Sequence, residues 1–264
     1  LRAAIARHYG NHYGLEIAPE RVAVTTGSSA GFDLAFLAAF DPGDRVAIAS
    51  PGYPPYRNIL TALGLVPVEI EVDASTRWAL TADAIERAHA EAPLKGVLVA
   101  SPANPTGTTI LPDALRDIVR ACRDIGAWLI SDEIYHRLVW TGTDVSALSF
   151  DNDVIVLNSF SKYYSMTGWR IGWMILPEPL VRPVERLAQN LFISTPELAQ
   201  RAAIEAFSAE ATAELDQVKA VYAENRARLM TALPAIGFTD VLPMDGAFYA
   251  YADASRFTND SLAF

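Results

Sequence analysis

The feature that most constrains this chain is an alternation. Short apolar runs recur from residue 22 to residue 176, separated by longer stretches with helical period. The runs at 22–25, 45–49, 66–70, 96–100, 127–131, 154–158 and 171–176 are rich in Val, Ile, Leu and Ala. Near-continuous runs of this kind read as strands that are mostly buried on both faces. Between them, 28–40, 81–90 and 112–125 carry the clearest helix signals, and Pro112 opens the last at a first-turn position where its missing N–H costs nothing. Strands that alternate with helices pair in parallel through crossovers, so the expected fold class is α/β: a mostly parallel sheet with helices on both faces.

The pattern changes after Leu176. Residues 179–233 are almost entirely helical in character, with a break at Ser194-Thr195-Pro196, and 246–251 alternate as a strand would. The expected organisation is a large domain over 1–178, connecting helices over 179–215, and the start of a smaller α+β C-terminal domain over 216–264. Leu1 is already in helical period without a preceding Met, and Leu262-Ala263-Phe264 stops without an ending signal. The expectation is a piece cut at both ends from a longer protein.

With 264 residues, 51% of them hydrophobic, the chain can bury a substantial core. A net charge of −10 argues against a nucleic-acid partner, because phosphate backbones are gripped by basic patches. Any anionic ligand must therefore be held by local groups. The single cysteine, Cys122, excludes an internal disulfide and lies in a helix-like stretch, as a small buried thiol does. No run of about twenty apolar residues and no signal peptide is present, so a soluble cytoplasmic protein without a membrane partner is expected, and no metal is called for.

In an open α/β sheet ligands collect at the carboxyl ends of strands, which directs attention to the loops that follow them. After the first run, Thr26-Gly27-Ser28-Ser29 opens a helix; backbone N–H groups and serine hydroxyls there can take a phosphate, although the same residues serve as an ordinary helix cap. After the second, Ser50-Pro51-Gly52-Tyr53-Pro54-Pro55-Tyr56 reads as a rigid loop that presents Tyr53 as an aromatic face, or as plain turn chemistry. Ser101-Pro102-Ala103-Asn104-Pro105 fixes the backbone around the amide of Asn104, with a cis bond or a simple turn as readings. Ser131-Asp132-Glu133-Ile134-Tyr135 places an acid at a strand end, for chemistry or for capping a helix. The run at 154–158 then delivers Ser159-Phe160-Ser161-Lys162, and Arg170 follows eight residues later. A lysine directly behind an apolar strand is desolvated toward the neutral amine, while the serines and a planar guanidinium suit a phosphate.

Taken together these loops resemble the class I/II aminotransferases of the fold-type I, pyridoxal-phosphate (PLP) dependent enzymes, the aspartate aminotransferase superfamily. Segment 159–172 is similar to that family's lysine-attachment signature position by position, Asn104-Pro105-Thr106-Gly107 and Asp132-Glu133-Ile134-Tyr135 match in order and approximate spacing, and the similarity runs from Leu1 to 246–249. The resemblance implies pyridoxal 5'-phosphate as cofactor, carried as an imine on Lys162, with Asp132 at the ring nitrogen and Asn104 and Tyr135 on its phenolic oxygen. It implies Tyr53 on the ring face, and Gly27, Ser28, Ser29, Ser159, Ser161 and Arg170 around the phosphate. Lys162, Asp132 and Tyr135 are then the catalytic set. The implied reaction moves an amino group between an L-amino acid and a 2-oxo acid by way of a pyridoxamine form, in a homodimer at full length. Two alternatives share the motifs: a β-eliminating carbon–sulfur lyase, and a non-catalytic PLP-binding sensor domain. Family members also carry an N-terminal arm and a later arginine that pairs with the substrate carboxylate; neither is in this sequence. Little activity is therefore expected of residues 1–264 alone, and Arg256, which matches no family motif, reads as a solvated side chain.

Overall fold

A computed structural model describes all residues, 1–264. Seven strands, β1 (Val22–Thr25), β2 (Arg45–Ser50), β3 (Val66–Glu71), β4 (Gly96–Ala100), β5 (Trp128–Asp132), β6 (Ile155–Ser159) and β7 (Gly172–Ile175), form one sheet in the order β1-β7-β6-β5-β4-β2-β3. Pairings within β3, β2, β4, β5 and β6 are parallel; β7 lies antiparallel between β6 and β1. The sheet is mostly parallel, as expected.

Eight α-helices accompany it: α1 (Arg2–Tyr13), α2 (Gly27–Ala39), α3 (Pro54–Ala62), α4 (Ala82–Glu91), α5 (Pro112–Asp124), α6 (Glu178–Leu191), α7 (Glu197–Glu205) and α8 (Ala209–Ala235). Two of them show a local cause directly. Thr81 caps α4 by accepting from the Ala84 N–H at 3.2 Å. Helix α5 starts with Pro at its first turn and buries Leu115, Ile118, Val119 and Cys122 along one stripe, so the lone thiol is indeed core.

The central strands divide their side chains between two cores with period two. Val97, Val99, Leu129 and Val156 pack with α1, α4, α5 and α7 on one face; Leu98, Ile130, Ile155 and Leu157 pack with α2, α3 and α6 on the other. Helices therefore cover both faces. Each fully buried aliphatic side chain contributes about 1.5–3 kcal/mol, which fixes the register of β4, β5 and β6.

Three expectations need correction. Residues 246–251 do not form a strand: Ala247 is left-handed, with φ +57°, and the Gly246 and Ala247 N–H groups donate to Gly107 and Leu138, leaving only isolated bridges. Residues 54–56 are not loop but the first turn of α3, because Pro54 and Pro55 supply the preset φ of a helix start. Burial on both faces fails for β3, an edge strand with several exposed residues.

Candidate active site

Strand register brings the chemically loaded loops to one edge. Ala100 pairs with Asp132, Asp132 with Leu157, and Gly172 with both Ser159 and Thr25. The loops after β1, β2, β4, β5 and β6 consequently leave the sheet on the same side, where an open α/β sheet places its ligand.

At one end, the start of α2 meets the turn before β7. Gly27 has φ +82°, and a Cβ there would lie 2.6 Å from Arg170 Nη2. A Cβ at Gly172 would lie 3.1 Å from the Ser28 nitrogen and 2.8 Å from the Asn158 oxygen. Two glycines thus allow a guanidinium and a helix N-terminus to converge, and no side chain caps that terminus at Thr26. Arg170, itself left-handed at φ 50°, is exposed and steadied by Nη1 donating to the Thr167 oxygen at 2.9 Å. Ser159 is buried; its hydroxyl donates to Ser161 Oγ at 2.8 Å and receives the Ser161 N–H at 3.0 Å. Ser28 is half-buried, whereas Ser29 is exposed and hydrogen-bonds to none of these groups.

Lys162 is half-buried in the turn after β6. Its Nζ lies 5.5 Å from the centroid of the Tyr135 ring and 5.6 Å from that of Phe248. Desolvation pulls its pKa below the ordinary 10.5; Asp132 opposes this and Arg170 adds to it. Asp132 is 4% exposed. Its Oδ1 accepts the Ile134 N–H at 3.0 Å and its Oδ2 accepts the Tyr56 hydroxyl. Burial pushes the carboxyl up to about 6, against the pull of Tyr56, Ile134 and Lys162.

The remaining residues close around this pair. Tyr135 is buried and hydrogen-bonds, hydroxyl to hydroxyl, with Tyr249; its pKa rises through desolvation and that bond. Tyr53 stands at the N-cap position of α3 with its ring edge-on to Tyr56 at 5.3 Å, and it shares a narrow cavity with Tyr56, Trp78, Ala100 and Asn104. The peptide bonds Ser50-Pro51, Ser101-Pro102 and Asn104-Pro105 are cis. Tyr56, Phe248 and Tyr249 were not singled out from sequence. Their partners lie 76 or more residues away along the chain, so no local pattern announces them.

Comparison with known proteins bears on the family and the fold. The chain matches the family model for aminotransferase class I and II over residues 1–263. It is 53% identical to a valine–pyruvate aminotransferase of Mycobacterium tuberculosis, covering all of this chain and 68% of that protein. It is 34% identical to a (5-formylfuran-3-yl)methyl phosphate transaminase of Methanocaldococcus jannaschii, covering 95% of this chain and 65% of that protein. The crystal structure of an aminotransferase from M. tuberculosis superposes with a TM-score of 0.97 at 53% identity, over 99% of this chain and 68% of its own. Thermus thermophilus aspartate aminotransferase with maleate gives 0.94 at 29% identity, over 99% and 69%. The chain spans about two thirds of the length of these relatives. With the family model matched along nearly its whole length, the chain belongs to the class I and II aminotransferases, a PLP-dependent family of fold type I.

Proposed function

We propose that this chain holds pyridoxal 5'-phosphate through Lys162 and belongs to an enzyme that moves an amino group between an L-amino acid and a 2-oxo acid. The observation that carries the reading is a half-buried lysine, its pKa lowered by desolvation, in the turn after β6, with a buried carboxylate at the end of neighbouring β5 and two glycines that let Arg170 approach the start of α2. The residues fit the cofactor. A Cβ at Gly27 would fill the space against Arg170, and the uncapped start of α2 offers N–H groups to a phosphate. When bound, PLP supplies a carbonyl carbon that links to amines and a ring that accepts the electron pair left when a substrate Cα loses its proton.

Everything else falls to the chain. Arg170, Ser28, Ser29, Ser159 and Ser161 would hold the phosphate, Tyr53 the ring face, and Asn104 and Tyr135 the phenolic oxygen. Asp132 would keep a proton on the ring nitrogen. Lys162, released as a neutral amine, would take the proton from the substrate Cα and deliver it to the carbon of the cofactor that carries the amino group away. Residues 1–178 would form the cofactor-holding unit, and in the whole protein two copies would assemble.

The M. tuberculosis relative makes valine and pyruvate the first pair to test. The assay follows alanine formed from pyruvate with valine as donor. Alanine formation supports amino transfer. Pyruvate and ammonia released from β-chloroalanine without an added oxo acid would favour the eliminating lyase instead. PLP binding with neither product would favour a sensor.

A further inference from the structure

Tyr56 sits in the first turn of α3 with no role yet assigned. It is 6% exposed and its ring packs against Phe32 of α2 at 5.1 Å, so its position is set by the core rather than by solvent. Tyr53 and Tyr56 are three residues apart at the start of α3, which puts both on one helix face; their rings meet edge-on. One helix start therefore delivers two tyrosines to one site. The hydroxyl of Tyr56 donates to Asp132 Oδ2, while the Ile134 N–H takes Oδ1. No arginine or lysine is within ion-pairing distance of the carboxylate. Its hydrogen bonds come from these two donors alone.

We infer that Tyr56 is a positioning residue for Asp132, whose donated hydrogen bond orients the buried carboxylate and keeps it ionised, and thereby sets how firmly a bound ring nitrogen holds its proton. The part concerning the ring rests on the PLP reading; the part concerning the carboxylate does not. A hydrogen bond to an ionised acceptor stabilises the charged form, so its removal raises the acid's pKa. The other groups that act electrostatically with Asp132 are Lys162, which favours its charge, and the hydroxyls of Tyr135 and Tyr249. None of these touches Oδ2. Tyr135 and Tyr249 satisfy each other instead.

The test titrates the Asp132 carboxyl carbon by 13C NMR in the chain without cofactor. Tyr56→Phe keeps the ring packed against Phe32 and removes only the donor; the Asp132 midpoint should rise by about one unit, a tenfold change in its proton affinity. Replacing Tyr56 with 3-fluorotyrosine, a stronger donor of the same shape, should lower the midpoint, and this variant decides the matter if Tyr56→Phe does not fold. With 15N-labelled PLP added, the ring nitrogen resonance should move toward its unprotonated position in Tyr56→Phe. Unchanged Asp132 midpoints in the folded variants would overturn the inference. Shifted midpoints together with no PLP binding would leave Tyr56 as the tuner of Asp132 and count against the PLP reading alone.

Discussion

At the scale of single residues Asp132 and Lys162 stand out, two groups moved from their ordinary behaviour by burial. Asp132 is pushed up to about 6, which leaves it ionised at neutral pH and able to hold a proton on a neighbouring base. Asp132→Asn keeps the shape and removes the charge. We expect the variant to retain PLP, measured by its absorbance after gel filtration, and to lose 10²-fold or more in turnover, about 3 kcal/mol of transition-state stabilisation. Turnover near that of the parent would contradict the role. Much of this was legible in the sequence, because the acid, the lysine and the arginine each stand next to a strand end. Tyr56 was not. It lies in the same proline-rich segment as Tyr53, and nothing local distinguishes the tyrosine that is 37% exposed from the one that reaches Asp132.

Among the elements, α2 carries the most specific demand. Its first residue must be glycine twice over: φ is +82°, and the absent Cβ makes way for Arg170. Gly27→Ala should cost about 1–2 kcal/mol in backbone strain and displace the guanidinium from the helix start. A dissociation constant for PLP raised tenfold or more, measured by fluorescence titration, is the expected result, with Tm lowered by a few degrees; unchanged affinity would mean that Arg170 and α2 do not share an anion. Hydrophobic runs revealed the existence of all seven strands along the chain but not their order in the sheet, since burial leaves a direct trace in composition and pairing does not. Elements whose form depends on distant partners were harder to see. The alternation at 246–251 looks like a strand, but its N–H groups are claimed by Gly107 and Leu138, and Ala247 turns the chain away. The antiparallel placement of β7 likewise depends on the turn at 160–171, where Phe160 N–H donates to the Ile171 oxygen and starts a hairpin return.

For the whole molecule, the two cores hold the sheet edge in register, and one buried acid beside the site couples that packing to pH. Glu133 is 1% exposed; its Oε1 accepts from Ser131 Oγ, Ser146 Oγ and the Ala147 N–H, and Oε2 lies 3.5 Å from His136 Nδ1. Burial pushes it up from the ordinary 4.5 to about 8. The unfolded chain gives up that proton near 4.5, so between there and about 8 the folded state binds more protons and stability falls as pH rises. The limiting slope is about 1.4 kcal/mol per pH unit. His8 and His136, pushed down from 6.5 to about 3 and about 4 by burial, act with opposite sign, but only below 6.5. Glu133→Gln keeps the acceptor and removes the titration. Between pH 6.5 and 8 its Tm should fall less steeply than the parent's, and parallel curves would show that Glu133 does not titrate there.

The central claim is that the loops at this edge of the sheet make Lys162 the attachment point for PLP. Borohydride reduction of the PLP-treated chain, followed by peptide mass mapping, tests it most directly. The pyridoxyl mass should fall on Lys162 and be lost in Lys162→Ala with the fold intact; a label on Lys95 or Lys219 with Lys162 unmodified would contradict the assignment.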